Sequence, residues 1–110
     1  MGLSQSYETT SAFSLGATTV LLAGHRTEVG WLSVVNTTAA AAYLQLFDAA
    51  ATADVTLGTT LPTLSVQIAA SGQTTLTNVS TIFRKGIVVA STTTATGNTG
   101  ATTHTFVGVG

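Results

Sequence analysis

Cysteine is absent from the 110 residues, which excludes disulfides, thiol nucleophiles and cysteine metal ligands. Charge is scarce as well. Glu8, Arg26, Glu28, Asp48, Asp54, Arg84 and Lys85 make up the whole set, 6% of the chain, where an ordinary soluble domain carries about 25%. Three basic residues and a net charge of −1 leave no electrostatic footprint for DNA or RNA, so no nucleic-acid partner is expected. Long apolar runs are missing too. The longest, Ala39 to Leu44, stops at Gln45, far short of the ~20 residues of a membrane-spanning helix. The aromatics, 6% of residues, are too few to girdle a membrane barrel, and no membrane partner is expected. The first residues lack the basic-then-apolar pattern of a secretory signal. Gly2 and Ser6 match a myristoylation pattern loose enough to arise by chance.

What the chain does have is hydroxyls. Threonine fills 24 positions, alanine 16 and serine 9. Mean hydropathy is +0.47. A small hydroxyl sheds water more easily than an ammonium or a carboxylate, so a Thr/Ala surface suits permanent burial in an assembly. The alternative is a plain β domain with a Thr-rich solvent face. The length allows one domain with one modest core.

Short strand patterns recur along the chain. Thr18–Ala23 is a candidate ended by Gly24. In Val29–Asn36, alternation sets Val29, Trp31, Ser33 and Val35 on one face and Gly30, Leu32 and Val34 on the other. Propensity alone favours a helix over Ala39–Ala53. Against it, Tyr43, Gln45 and Phe47 alternate with Leu44 and Leu46, and strand-like neighbours lie a short turn away, so Ala42–Phe47 reads as a strand. Leu64, Val66 and Ile68 alternate with polar residues after Pro62. Thr74–Asn78, Gly86–Thr93 and Thr103–Val109 complete the set, with Arg84-Lys85-Gly86 as a charged turn and Thr94–Thr102 as a loop. The expected architecture is all-β: a single antiparallel β-sandwich over residues 16–110, a jelly roll in wrap, preceded by an extended arm over residues 1–15. Trp31, Leu44, Leu46, Val66, Ile68, Ile87, Val89 and Phe106 are the expected core.

No constellation for catalysis stands out, and an enzyme is not expected. There is no Gly-x-Ser-x-Gly elbow. His25 with Glu28 reads as a solvated turn, and His104 as a packed or edge histidine. Neither metal-ligand spacing nor a phosphate loop occurs, so catalytic, cofactor and metal residues are all expected to be none; a weak calcium loop over Asp48–Asp54 is the one alternative. Thr75-Leu76-Thr77, Thr92-Thr93-Thr94 and Thr103-His104-Thr105 suggest an ice-binding solenoid, but their spacing is irregular. Asn36-Thr37-Thr38 and Asn78-Val79-Ser80 match glycosylation sequons and count as chance.

The series Gly30-Trp31-Leu32-Ser33-Val34-Val35-Asn36-Thr37-Thr38, then Ala42-Tyr43-Leu44-Gln45-Leu46-Phe47-Asp48, then Gly58-Thr59-Thr60 before Pro62, resembles small structural proteins of tailed bacteriophages. Phe83, Gly86 and Ile87 followed by a Thr-rich strand extend the likeness, which spans roughly residues 29 to 109. It implies a jelly-roll or sandwich module on the virion, of the head decoration (cement) type. The expected partners are the major capsid protein or other virion proteins and further copies of the chain, as a trimer. The expected location is the capsid surface, after synthesis in the host cytoplasm. Leu3, Tyr7 and Phe13 on the arm, with Arg84 and Lys85, are the candidate interface residues. Two other readings stay open: a neck, tail or fibre-hub protein, and a carbohydrate-binding jelly roll using Trp31 or Tyr43.

Overall fold

The short alternating segments become nine strands in the computed structural model, which describes residues 8–77 and 79–109. In chain order they are β1 (Glu8–Leu15), β2 (Val20–Ala23), β3 (Thr27–Asn36), β4 (Ala42–Asp48), β5 (Leu64–Ile68), β6 (Gln73–Leu76), β7 (Thr81–Phe83), β8 (Ile87–Thr92) and β9 (Thr103–Val109). A single 3-10 turn, Thr52–Asp54, interrupts the long β4–β5 connection. One sheet has the order β1-β9-β3-β6, with β7 also pairing β3; the other has the order β2-β8-β4-β5. Every pairing is antiparallel. The two sheets pack face to face, giving the expected all-β sandwich.

Alternation decides what lies between the sheets. Leu32 and Val34 of β3, Leu44 and Leu46 of β4, Ile68 of β5, Ile87 and Val89 of β8 and Val107 of β9 are all fully buried. Burying a leucine or isoleucine side chain of this kind contributes about 1.5–3 kcal/mol. The core is not wholly apolar. Thr103 and Thr105 of β9 and Ser91 of β8 are also fully buried, and the Ser91 and Thr103 hydroxyls hydrogen-bond each other across the sandwich. Threonine is therefore not only a surface residue here.

β8 is buried along its whole length, on both faces. Its outward residues are covered by loops. The β4–β5 connection folds back over the sheet, packing Val55 and half-buried Leu57 against Phe47, Ala49 and Val88. The β8–β9 loop covers the neighbouring stretch, where Gln45 Nε2 donates to Thr92 Oγ1 at 2.6 Å and to the Gly97 carbonyl at 3.1 Å. Gln45 is fully buried as a result.

One end of the sandwich is locked by Asn36, which is 1% exposed. Its Nδ2 donates to the carbonyls of Ala40 (2.8 Å), Ala69 (3.1 Å) and Ile68 (3.3 Å). Its Oδ1 accepts from the Thr38 backbone N–H (2.9 Å) and hydroxyl (2.7 Å). One side chain thus ties the end of β3 to the β3–β4 turn and to the β5–β6 turn. The Asn36-Thr37-Thr38 sequon is a structural lock, with its amide committed internally.

Three expectations change. Residues 8–15 of the expected arm form an edge strand that pairs with β9, and Leu15 is buried in the core. Residues 1–7 lie outside the described residues. Second, a bulge between Val29 and Trp31 inserts Gly30 into β3. Val29 then joins Leu32 and Val34 inside, and Trp31 turns outward, half-buried rather than core. Third, Phe106 lies opposite Ser33 on the outer side of β9, again half-buried, while Thr105 and Val107 face in. β7 is a strand that the turn-rich sequence around it concealed.

Candidate functional site

The outer face of the larger sheet carries few charged residues, Glu28 of β3 among them. Trp31, Ser33 and Val35 of β3 lie opposite Gly108, Phe106 and His104 of β9, and Ser33 and Val35 lie opposite Thr75 and Gln73 of β6. None of these side chains ionises except His104. The hydroxyls and amide form a connected row. Gln73 Nε2 donates to Ser33 Oγ at 3.1 Å and to Thr75 Oγ1 at 3.3 Å, and the two hydroxyls lie 3.2 Å apart. Trp31 lies directly over Gly108, where any Cβ would collide with the indole. The missing side chain on β9 is what lets the tryptophan lie down on the sheet. Gly30 beside Trp31, with Gly108 on the partner strand, is the sequence signal for this arrangement.

Apolar side chains are exposed elsewhere as well. Leu21 of the edge strand β2 is 43% exposed, Ile82 of β7 46% and Leu61 of the β4–β5 loop 79%.

The candidate interface residues fall in separate places. Leu3 and Tyr7 lie outside the described residues. Phe13 sits on β1 opposite Thr105 of β9. Arg84 and Lys85 are exposed at the β7–β8 turn, as read from the sequence. That turn has an unforeseen anchor. Asp48, at the end of β4, accepts the Lys85 backbone N–H on Oδ1 at 2.8 Å. The Lys85 N–H holds the Asp48 carboxyl below its ordinary range; desolvation opposes this, and the Arg84 and Gly86 N–H groups reinforce it. The turn needs Gly86, whose φ is +149° and whose Cβ would press on the Ala23 and Ala49 carbonyls.

Beside this turn lies a cavity of about 420 Å³. Its inner wall is Phe47, Ala49 and Val55; Asp48, Asp54 and Lys85 carry its charge; Thr60, Thr63 and the projecting Leu61 come from the β4–β5 loop. The loop holds its own shape. Thr56 donates its N–H to Thr60 Oγ1 at 3.0 Å and accepts the Thr60 N–H at 2.8 Å, while the Thr63 N–H reaches the Leu46 carbonyl at 2.9 Å. Asp48 and Asp54 therefore do share one concavity, with Lys85 as a third lining residue, and among the described residues no third carboxylate or histidine joins them.

His25 lies in the β2–β3 turn, with Nδ1 3.1 Å from the Arg26 carbonyl oxygen and 3.3 Å from Thr27 Oγ1. His104 is on the outer face of β9. Among the described residues no three His, Asp or Glu side chains converge to hold a metal ion. No described helix is long and apolar enough to cross a membrane. Compared with protein-family models, with curated proteins and with solved structures, the chain finds no match.

Proposed function

We propose that this chain is a non-enzymatic structural protein of a tailed-bacteriophage virion, a capsid decoration (cement) protein that binds and stabilises the head lattice. The observation that carries this reading is the outer face of the larger sheet: sparsely charged, and bearing Trp31 and Phe106 outside the core. Such a face is inexpensive to desolvate, and large aromatics are the residues that anchor interfaces. The strand order supports a jelly roll. β1-β9-β3-β6 and β2-β8-β4-β5 are the two sheets obtained when one long hairpin, with β4 and β5 at its tip, wraps around a barrel axis. The resemblance of residues 29–109 to phage structural proteins supplies the setting. Low affinity per copy suits a lattice, where many linked contacts multiply. Leu3, Tyr7, Phe13, Arg84 and Lys85 are the proposed partner contacts, and the assembly unit is a trimer.

The test is quantitative mass spectrometry of purified virions, counting this chain against the major capsid protein. A ratio near one, or a simple lattice fraction of it, supports decoration. A few to a few tens of copies moves the protein to the neck, tail or fibre hub; absence removes it from the virion. Because β1 belongs to the sandwich, the matching deletion removes residues 2–7 only. It should leave the fold intact and weaken capsid binding.

Trp31 outside the core also favours a second reading, a carbohydrate-binding module. Glycan-array binding lost on Trp31→Ala, with no capsid binding, would put that reading first.

A further inference from the structure

We propose that the cavity between the β4–β5 loop and the β7–β8 turn is a binding site for a neutral saccharide, of mono- or disaccharide size. The site lies on the opposite sheet from Trp31 and does not rest on the virion reading.

Volume sets the scale. At about 420 Å³ the cavity falls within the range of small-molecule sites, about 300–1,000 Å³. Chemistry sets the class. Asp48, Asp54 and Lys85 line the site and Arg84 adjoins it in the same turn, so the charges around it balance and a ligand with no net charge is favoured. Phe47, Ala49 and Val55 are only 1%, 5% and 8% exposed, so the inner wall offers little free surface to an apolar ligand. Such a ligand would also strip water from two carboxylates without replacing its hydrogen bonds. A bare cation finds Lys85 among the lining residues, and Asp48 Oδ1 is already committed to the Lys85 N–H. A zwitterion places its own carboxylate beside Asp48 and Asp54.

Hydroxyl groups avoid each of these conflicts, because they both donate and accept. Sugar hydroxyls can donate to Asp54 and to the second oxygen of Asp48, and accept from Lys85 Nζ. The hydroxyls of Thr60 and Thr63 can join in either sense. Leu61, 79% exposed at the rim, offers an apolar surface to the C–H face of a sugar ring. The walls are preformed: the loop is closed by its own hydrogen bonds, and Asp48 is fixed by the backbone of the turn.

The test is an amide-resolved NMR titration of the intact chain with D-glucose, D-galactose and N-acetyl-D-glucosamine, each taken through the millimolar range. Saturable shifts should centre on Asp48, Asp54, Leu61 and Lys85. Asp54→Asn and Lys85→Ala, both at exposed positions, should each weaken binding about tenfold, the loss of one charge-assisted hydrogen bond. Trp31→Ala should leave it unchanged. No saturable shift with any of the three sugars overturns the proposal. So do shifts centred on Trp31 and Phe106, or binding unaffected by both cavity substitutions. None of these outcomes bears on the copy number in virions, so the two readings fail separately.

Discussion

Replacing Asn36 is the most informative single perturbation of the fold. Asn36→Ala deletes three donor contacts, at 2.8, 3.1 and 3.3 Å, and two acceptor contacts, at 2.9 and 2.7 Å. Ala40 and Ala69 lie at exposed positions, where water can replace the lost donor; the hydrogen bond to the Ile68 carbonyl is buried. A net hydrogen bond is worth about 0.5–1.5 kcal/mol, and a buried orphan acceptor costs about 1–3 kcal/mol. The two exposed carbonyls and the Thr38 groups recover part of their loss, so the expected destabilisation is about 2–4 kcal/mol. At about 4 °C per kcal/mol for a domain of this size, Tm should fall by about 8–16 °C. Urea denaturation should show a lower midpoint with an unchanged slope. A change below about 0.5 kcal/mol would refute the lock. Asn36→Asp separates geometry from chemistry. One oxygen still accepts from Thr38, but the other now faces three carbonyl oxygens. That repulsion raises the carboxyl pKa in the folded state above its unfolded value of about 3.9. The native state then binds the proton more tightly, so the variant should be most stable at low pH and lose stability as pH rises through the folded value. A deficit independent of pH would refute the account.

The remaining predictions concern the turn beside the cavity and the Trp31 face. The Asp48 carboxyl is held below its ordinary range, so its contribution is present above pH ~3.9 and lost as pH falls through the lower folded value. Asp48→Asn should remove that part of the acid limb in denaturation curves measured across pH, and coincident limbs would contradict the assignment. Gly86→Ala puts a Cβ at φ +149°, 2.7 Å from the Ala49 carbonyl oxygen and closer still to that of Ala23; it should cost about 2–4 kcal/mol in urea unfolding. A variant as stable as the parent would show that the turn has other conformations. Gly108→Ala should destabilise by about 1–3 kcal/mol, because the indole of Trp31 occupies the space. In a Trp31→Ala background most of that cost should vanish, and strict additivity in the double-mutant cycle would refute the contact.

Much of the fold was legible in alternation. Leu64–Ile68 and Thr103–Val109 have the bounds read from the sequence, and Ala42–Asp48 is a strand despite its alanine content. Leu44 and Leu46 pack between sheets there, and tertiary burial outweighs propensity. What misled the reading was local. A single bulge at Gly30 moves Val29 to the inside and Trp31 to the outside, because side chains alternate with period two. β1 looked like an arm because its residues carry no clean alternation, and its pairing is itself interrupted by a bulge between Thr10 and Phe13. The cavity was beyond sequence reasoning. Asp48, Asp54, Leu61 and Lys85 meet only because a connection of some length folds back over its own sheet. The Arg84-Lys85-Gly86 turn was visible, but its carboxylate anchor lies across the sheet at Asp48, a link with no local signature.

The burial of β8 on both faces has a practical consequence for engineering. Loops of a sandwich are usually the segments that accept insertions and carry displayed peptides. Here residues 49–63 and 93–100 roof the smaller sheet, and lengthening either one would uncover Phe47 and Val88 or the buried amide of Gln45. The β2–β3 turn at His25-Arg26, exposed and outside both roofs, is the place where a foreign segment can be grafted without opening the interior.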